Sequence, residues 1–151
     1  MTDEKISEYF YLSEVTKSST ALRFKIKNIP KKEDIERAKA LAKNVLDKVR
    51  IKFGPYSPSS WFRNLALNFK VGGVWNSDHL YGGAADIEVP TVNNYKLAEW
   101  IHKNCTYDQL ILEHYDSKNP WSGWVHVSYR EGKNRKQPLK YNNGKYEIIK
   151  F

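Results

Sequence analysis

The chain changes hydrophobic period partway along, and this constrains its fold more than any other feature. Over residues 32–52 the apolar positions Ile35, Ala38, Ala42, Val45 and Val49 recur every three or four residues, with Lys and Glu on the opposite side. That spacing predicts an amphipathic helix, ended by Gly54-Pro55-Tyr56-Ser57-Pro58. After residue 83 the period drops to two. Ala85, Ile87 and Val89 alternate with Ala84, Asp86 and Glu88, and Trp124, His126 and Ser128 alternate with Val125, Val127 and Tyr129. Such alternation predicts half-buried strands. Residues 109–113 form a short apolar run of strand length, and 139–141 and 146–149 flank Asn142-Asn143-Gly144, a hairpin signal. Shorter helices are expected near residues 9–14, from 64 to Gly72-Gly73, and from a Thr91 cap to about 103, burying Leu97, Trp100 and Ile101. Helices first and a mainly antiparallel sheet second read as an α+β fold.

The 151 residues favour one domain spanning 1–151, a size that hides roughly 70% of the unfolded surface. The single cysteine, Cys105, excludes a disulfide framework and a cysteine-rich zinc knuckle, and reads as a small buried apolar group. No apolar run approaches the ~18 residues of a membrane span. The opening MTDEKISEYF lacks the layout of a signal peptide, so synthesis in the cytoplasm without an export signal is expected. Lys and Arg number 25 against 17 acids, a net charge of +8, and residues 130–151 carry seven cations and two acids. That excess suits nucleic acid, an anionic membrane surface or an anionic wall polymer, and equally a merely solubilising surface.

The sharpest local feature is Ser77-Asp78-His79-Leu80-Tyr81-Gly82-Gly83-Ala84-Ala85-Asp86. Gly82 and Gly83 permit a sharp turn before the strand that carries Asp86, and Ala84 and Ala85 leave room beside it. A later strand carries His126. Two imidazoles and one carboxylate can supply three corners of a tetrahedral zinc site, leaving the fourth open as in catalytic sites. The same groups can instead be satisfied by backbone hydrogen bonds, and spacing alone leaves both readings open.

Ser77, His79, Gly82, Ala84 and Asp86 reproduce S-x-H-x-x-G-x-A-x-D, and Trp124-Val125-His126-Val127-Ser128-Tyr129 reproduces W-V-H-x-S-[YF]. These motifs resemble the zinc-binding signature of the D-Ala-D-Ala carboxypeptidase superfamily, which includes phage endolysin peptidases and the hedgehog fold. The second motif resembles the corresponding strand of its small phage and bacterial branch. Phe10-Tyr11-Leu12-Ser13-Glu14, Ser60-Trp61-Phe62-Arg63, Leu67-Asn68 and Asp108-Gln109-Leu110-Ile111 follow that branch in order.

The resemblance implies His79, Asp86 and His126 as zinc ligands. Many members place the catalytic base three residues before the last histidine, where this chain has Gly123. Glu113 is the nearest candidate, with Asp116 further along; a hairpin with a wide loop would bring Glu113 beside His126 across twelve intervening residues. Glu113 would move protons during attack on a peptide carbonyl. Arg63 would hold a substrate carboxylate or the oxyanion, or else serve as an ion-pair arginine, since Trp61-Phe62 departs from the branch's G-Y. Ser77 is expected to bond within the metal loop, Ser128 to face the cleft, and Trp124, with Trp75 and Trp121, to line a groove. His114 should point to the opposite face from Glu113, His102 to the surface, and Asp78 and Glu88 bracket the site.

The implied activity is zinc-dependent hydrolysis of peptidoglycan stem peptides, at a terminal D-Ala-D-Ala bond or an internal L-Ala-D-Glu or cross-bridge bond. The resemblance places it in phage-type wall degradation by a monomer, made in the host cytoplasm and acting at the anionic cell wall after release. Two alternatives stay open. One is a non-catalytic, zinc-containing binding protein of the same fold. The other is a basic module using Arg130, Lys133, Arg135 and Lys136 on nucleic acid, for which no groove-reading motif is present.

Overall fold

A computed structural model describes residues 2–151; Met1, the first residue of the expected 1–151 domain and of the segment read for an export signal, lies outside the described residues. The long helix is continuous through α3 (Lys32–Leu41), a π-helical turn (Ala42–Leu46) and α4 (Asp47–Phe53). Of the expected stripe, Ala38, Ala42, Val45 and Val49 are fully buried and Ile35 is half-buried, and Leu41 and Leu46 add to the same buried side. Short helices α1 (Leu12–Thr16) and α2 (Ser19–Arg23) precede it and α5 (Leu65–Lys70) follows. Helix α6 (Asn94–Asn104) is capped by Asn93, whose side chain accepts from Lys96 N–H, not by Thr91. The Thr91 hydroxyl instead donates to the carbonyl of Phe53 at 2.6 Å, so a tertiary partner claims that cap.

Strands β1 (Ala84–Ile87), β2 (Gln109–Glu113), β3 (Trp124–Ser128), β4 (Gln137–Asn142) and β5 (Lys145–Ile148) form one sheet in the order β1-β3-β2-β4-β5. All neighbours are antiparallel except β2 and β4. The fold is therefore α+β with a mainly antiparallel sheet. β1 and β3 are shorter than the alternation suggested. Asn143 and Gly144, at φ 51° and 77°, make the tight β4–β5 turn.

Period-two alternation divides the sheet between two tasks. Ala85, Ile87, Leu110, Leu112, Val125 and Val127 enter the core, where α6 packs Leu97, Ala98 and Ile101 against β2 and β3. The other face carries Asp86, Ile111, Glu113, Trp124 and His126 and looks into an open cleft of about 970 Å³. Register places Asp86 opposite His126, His126 opposite Ile111, and Trp124 opposite Glu113.

Candidate metal centre

Ser77 caps a 3₁₀ turn (Asp78–Tyr81), its hydroxyl accepting the His79 N–H at 3.2 Å. Gly82 closes the turn in the left-handed region at φ 78°, packed so closely on the Asp34 carbonyl that a Cβ would collide with it. The turn buries His79 almost completely.

The segment 59–63 laces this turn to β1. Asp86 N–H donates to Ser60 O at 2.8 Å and Ser59 N–H to Asp86 O at 2.9 Å. Arg63 N–H donates to His79 O, and the Trp61 indole to Gly82 O, each at 3.0 Å. His79 Nδ1 lies 2.5 Å from the carbonyl oxygen of Trp61. A carbonyl only accepts, so the proton sits on Nδ1 and the Nε2 lone pair faces the site. Trp61 is the residue that sequence reasoning left out of the site, because its decisive atom is a backbone oxygen.

His79 Nε2 and His126 Nδ1 lie 3.2 and 3.1 Å from the same oxygen, Asp86 Oδ1. The three ligand atoms lie within 4.8 Å of one another, and the rings meet edge-on at 5.0 Å. Burial opposes charge on Asp86, yet the two imidazoles, when they carry protons, hold its carboxyl well below the usual carboxylate range. His79 is pushed down by burial. Burial acts on His126 too, but Asp86 and the more distant Glu113 outweigh it and raise its pKa. Two imidazole nitrogens and a carboxylate oxygen, converging with one tautomer already fixed, fit a divalent cation of the zinc type.

Glu113 and Arg63 line the same cleft. Glu113 Oε2 accepts the Trp124 indole N–H at 2.9 Å, and burial raises the carboxyl above its ordinary value. Gly123, at φ 68°, stands where many members of the resembling family carry their base; a Cβ there would collide with the carbonyl of Glu113. The glycine thus leaves room for the end of β2 that carries Glu113. Arg63 is half-buried, which lowers its pKa while Asp86 and Glu113 act in the opposite sense; its Nε, sealed from solvent, finds no partner in the protein.

Several other expectations need correction, while that for Cys105 holds. His114 does not point away from Glu113: its backbone is left-handed at φ 54°, so strand alternation fails there and the ring lines the cleft beside Trp124 at 5.1 Å. Ser128 does not line the cleft; it is buried and accepts the Gln109 N–H at 3.0 Å. Trp75 and Trp121 are exposed outside the cleft. His102 is half-buried, its Nδ1 2.7 Å from the Tyr107 hydroxyl. Asp78 lines the cleft, whereas Glu88 is exposed outside it. Cys105 is buried and its thiol is pushed up to about 11. Two cations of the nucleic-acid alternative have acidic partners: Arg130 meets Asp78 at 2.8 Å, and Arg135 clamps buried Asp108 at 2.9 Å through both Nε and Nη2. No helix among the described residues is long and apolar enough to cross a membrane.

A family model described as Peptidase M15 matches residues 8–128. No curated protein matches the chain.

Proposed function

The chain belongs to the peptidase M15 family, and from that premise we propose that it is a zinc-dependent peptidase hydrolysing peptidoglycan stem peptides. The observation that carries this reading is the convergence of His79, Asp86 and His126 in one cleft with Glu113 and Arg63. His79 Nε2, Asp86 Oδ1 and His126 Nδ1 would hold the ion. When bound, zinc polarises a carbonyl and lowers the pKa of water to about 7.

Glu113 has one oxygen held by Trp124, so Oε1 is the atom free to take a proton from the attacking water and return it to the leaving amine. The raised pKa of Glu113 suits both halves of that task. The Arg63 guanidinium, which lines the cleft, would hold a substrate carboxylate or the developing oxyanion. Ser77 and the Trp61 carbonyl act one step back, fixing the turn and ring of His79. Action as a monomer in phage-type wall degradation belongs to this reading by analogy with the family, and the net charge of +8 suits an anionic wall.

The test is digestion of defined muropeptides by the metal-loaded protein, with mass analysis of products. New amine termini at one stem or cross-bridge bond, lost with a chelator, are expected. Absence of any new amine terminus across several wall chemotypes would overturn the reading in favour of a metal-containing binding protein.

A further inference from the structure

The sheet register sets four side chains in one row across successive strands. Trp124 of β3 lies opposite Glu113 of β2, Glu113 opposite Tyr141 of β4, and Tyr141 opposite Tyr146 of β5. The family match ends at residue 128, so the β4–β5 hairpin and both tyrosines lie beyond it. His114 joins the row because its left-handed backbone turns it into the cleft, its N–H donating to Tyr141 O at 2.9 Å. Its ring lies 5.1 Å from Trp124 and 5.7 Å from Tyr141, and Tyr141 lies 4.5 Å from Tyr146.

All four rings line the cleft that holds the metal ligands, and none is sealed in the core. His114 is exposed and Tyr146 is 54% exposed. Contiguous aromatic surface left in water inside a cleft is a ligand surface rather than a packing one. The stem-peptide substrate class proposed above limits what could cover it. Stem-peptide side chains are small or charged, and none presents a flat apolar face of ring size. The pyranose rings of the glycan strand do, through their C–H faces.

We propose that Trp124, His114, Tyr141 and Tyr146 form a subsite that stacks a sugar ring of the glycan strand, so that the site reads the saccharide as well as the peptide attached to it. This rests on the peptidoglycan reading above. Strands lie about 4.8 Å apart, so Tyr141 sits roughly 10 Å from the β3 row position. An extended chain covers that distance in about three residues. The sugar stacked there is joined to the peptide only a few residues from the bond over the ligands.

Two measurements on the metal-loaded full chain test this. The first is the ratio of kcat/KM for a disaccharide-linked stem peptide to that for the same peptide without sugar. The ratio should be about tenfold in the native protein and fall towards one in Tyr146→Ala and His114→Ala, while Tyr146→Phe keeps it. The second is titration with the peptide-free disaccharide, read at the Trp124 indole N–H resonance, which should shift saturably and lose that response in Tyr146→Ala. A native ratio near one with no shift overturns the sugar subsite and leaves the peptidase reading standing. A saturable shift without hydrolysis of any muropeptide upholds the subsite and overturns the peptidase reading. A fall of equal size on both substrates overturns the subsite.

Discussion

Trp124 donates its indole N–H to Glu113 Oε2 at 2.9 Å across neighbouring strands, holding one carboxylate oxygen and leaving the other to the cleft. Burial raises the Glu113 pKa, and this bond, which favours the charged form, partly offsets the rise. Trp124→Phe removes the donor, so Glu113 should titrate higher and the acid limb of the kcat/KM profile should move to higher pH. Glu113→Gln should lower kcat by about 10²- to 10⁴-fold with metal content unchanged. A pH–rate profile with metal analysis checks both; an acid limb that stays in place in Trp124→Phe would remove Glu113 from the base role.

Metal should stabilise the chain as well as activate it, because the ligand atoms of His79, Asp86 and His126 are gathered only in the folded state. At free metal 100-fold above Kd the expected gain is about 2.7 kcal/mol, a rise in Tm of about 5–10 °C for a chain of this size. Thermal unfolding with and without zinc measures it. Asp86→Ala should abolish the increment, and an equal rise in that variant would place the ion elsewhere.

The parts of the fold legible in the sequence are those governed by local period. The 32–52 stripe and the alternation in β1 and β3 survive in the structure because each buries a single face against one core. The π-helical turn left no trace, since Ala42, Val45 and Leu46 keep to the same buried stripe through it. His114 was misjudged because alternation presumes an extended backbone, and a left-handed residue breaks it. The grouping of His79, Asp86 and His126 was legible as a motif, whereas the lacing by residues 59–63 uses mainly backbone atoms that any residue supplies. The parallel seating of β4 on β2, and the partners Asp78 and Asp108 of the basic tail, arise from long-range pairing that no local pattern encodes.

Gly123 should tolerate no side chain. Its φ of 68° strains any L-residue, and a Cβ would strike the Glu113 carbonyl. Gly123→Ala should destabilise the chain by more than about 1 kcal/mol and displace the strand end that carries Glu113. Activity should therefore fall well beyond what the unfolded fraction accounts for. Urea unfolding beside kcat at a temperature where the variant stays folded separates the two losses; full specific activity in the folded variant would show that the backbone yields elsewhere.

Asp108 should make stability fall in acid. Its carboxylate is sealed from solvent. Burial alone would raise its pKa, but the Arg135 side chain and backbone N–H, with Arg130 nearby, hold it below the ordinary 3.8. A folded pKa below the unfolded one means that the unfolded chain binds the proton first. The contribution is therefore complete above about pH 4 and is lost as pH falls from there through the depressed folded value. Arg135 is half-exposed, so salt should weaken the ionic part. Urea midpoints measured from pH 7 to pH 2 at low salt should show Asp108→Asn less stable at neutrality and shallower below pH 4. Curves that run parallel across that window would mean the clamp contributes no pH-dependent stability.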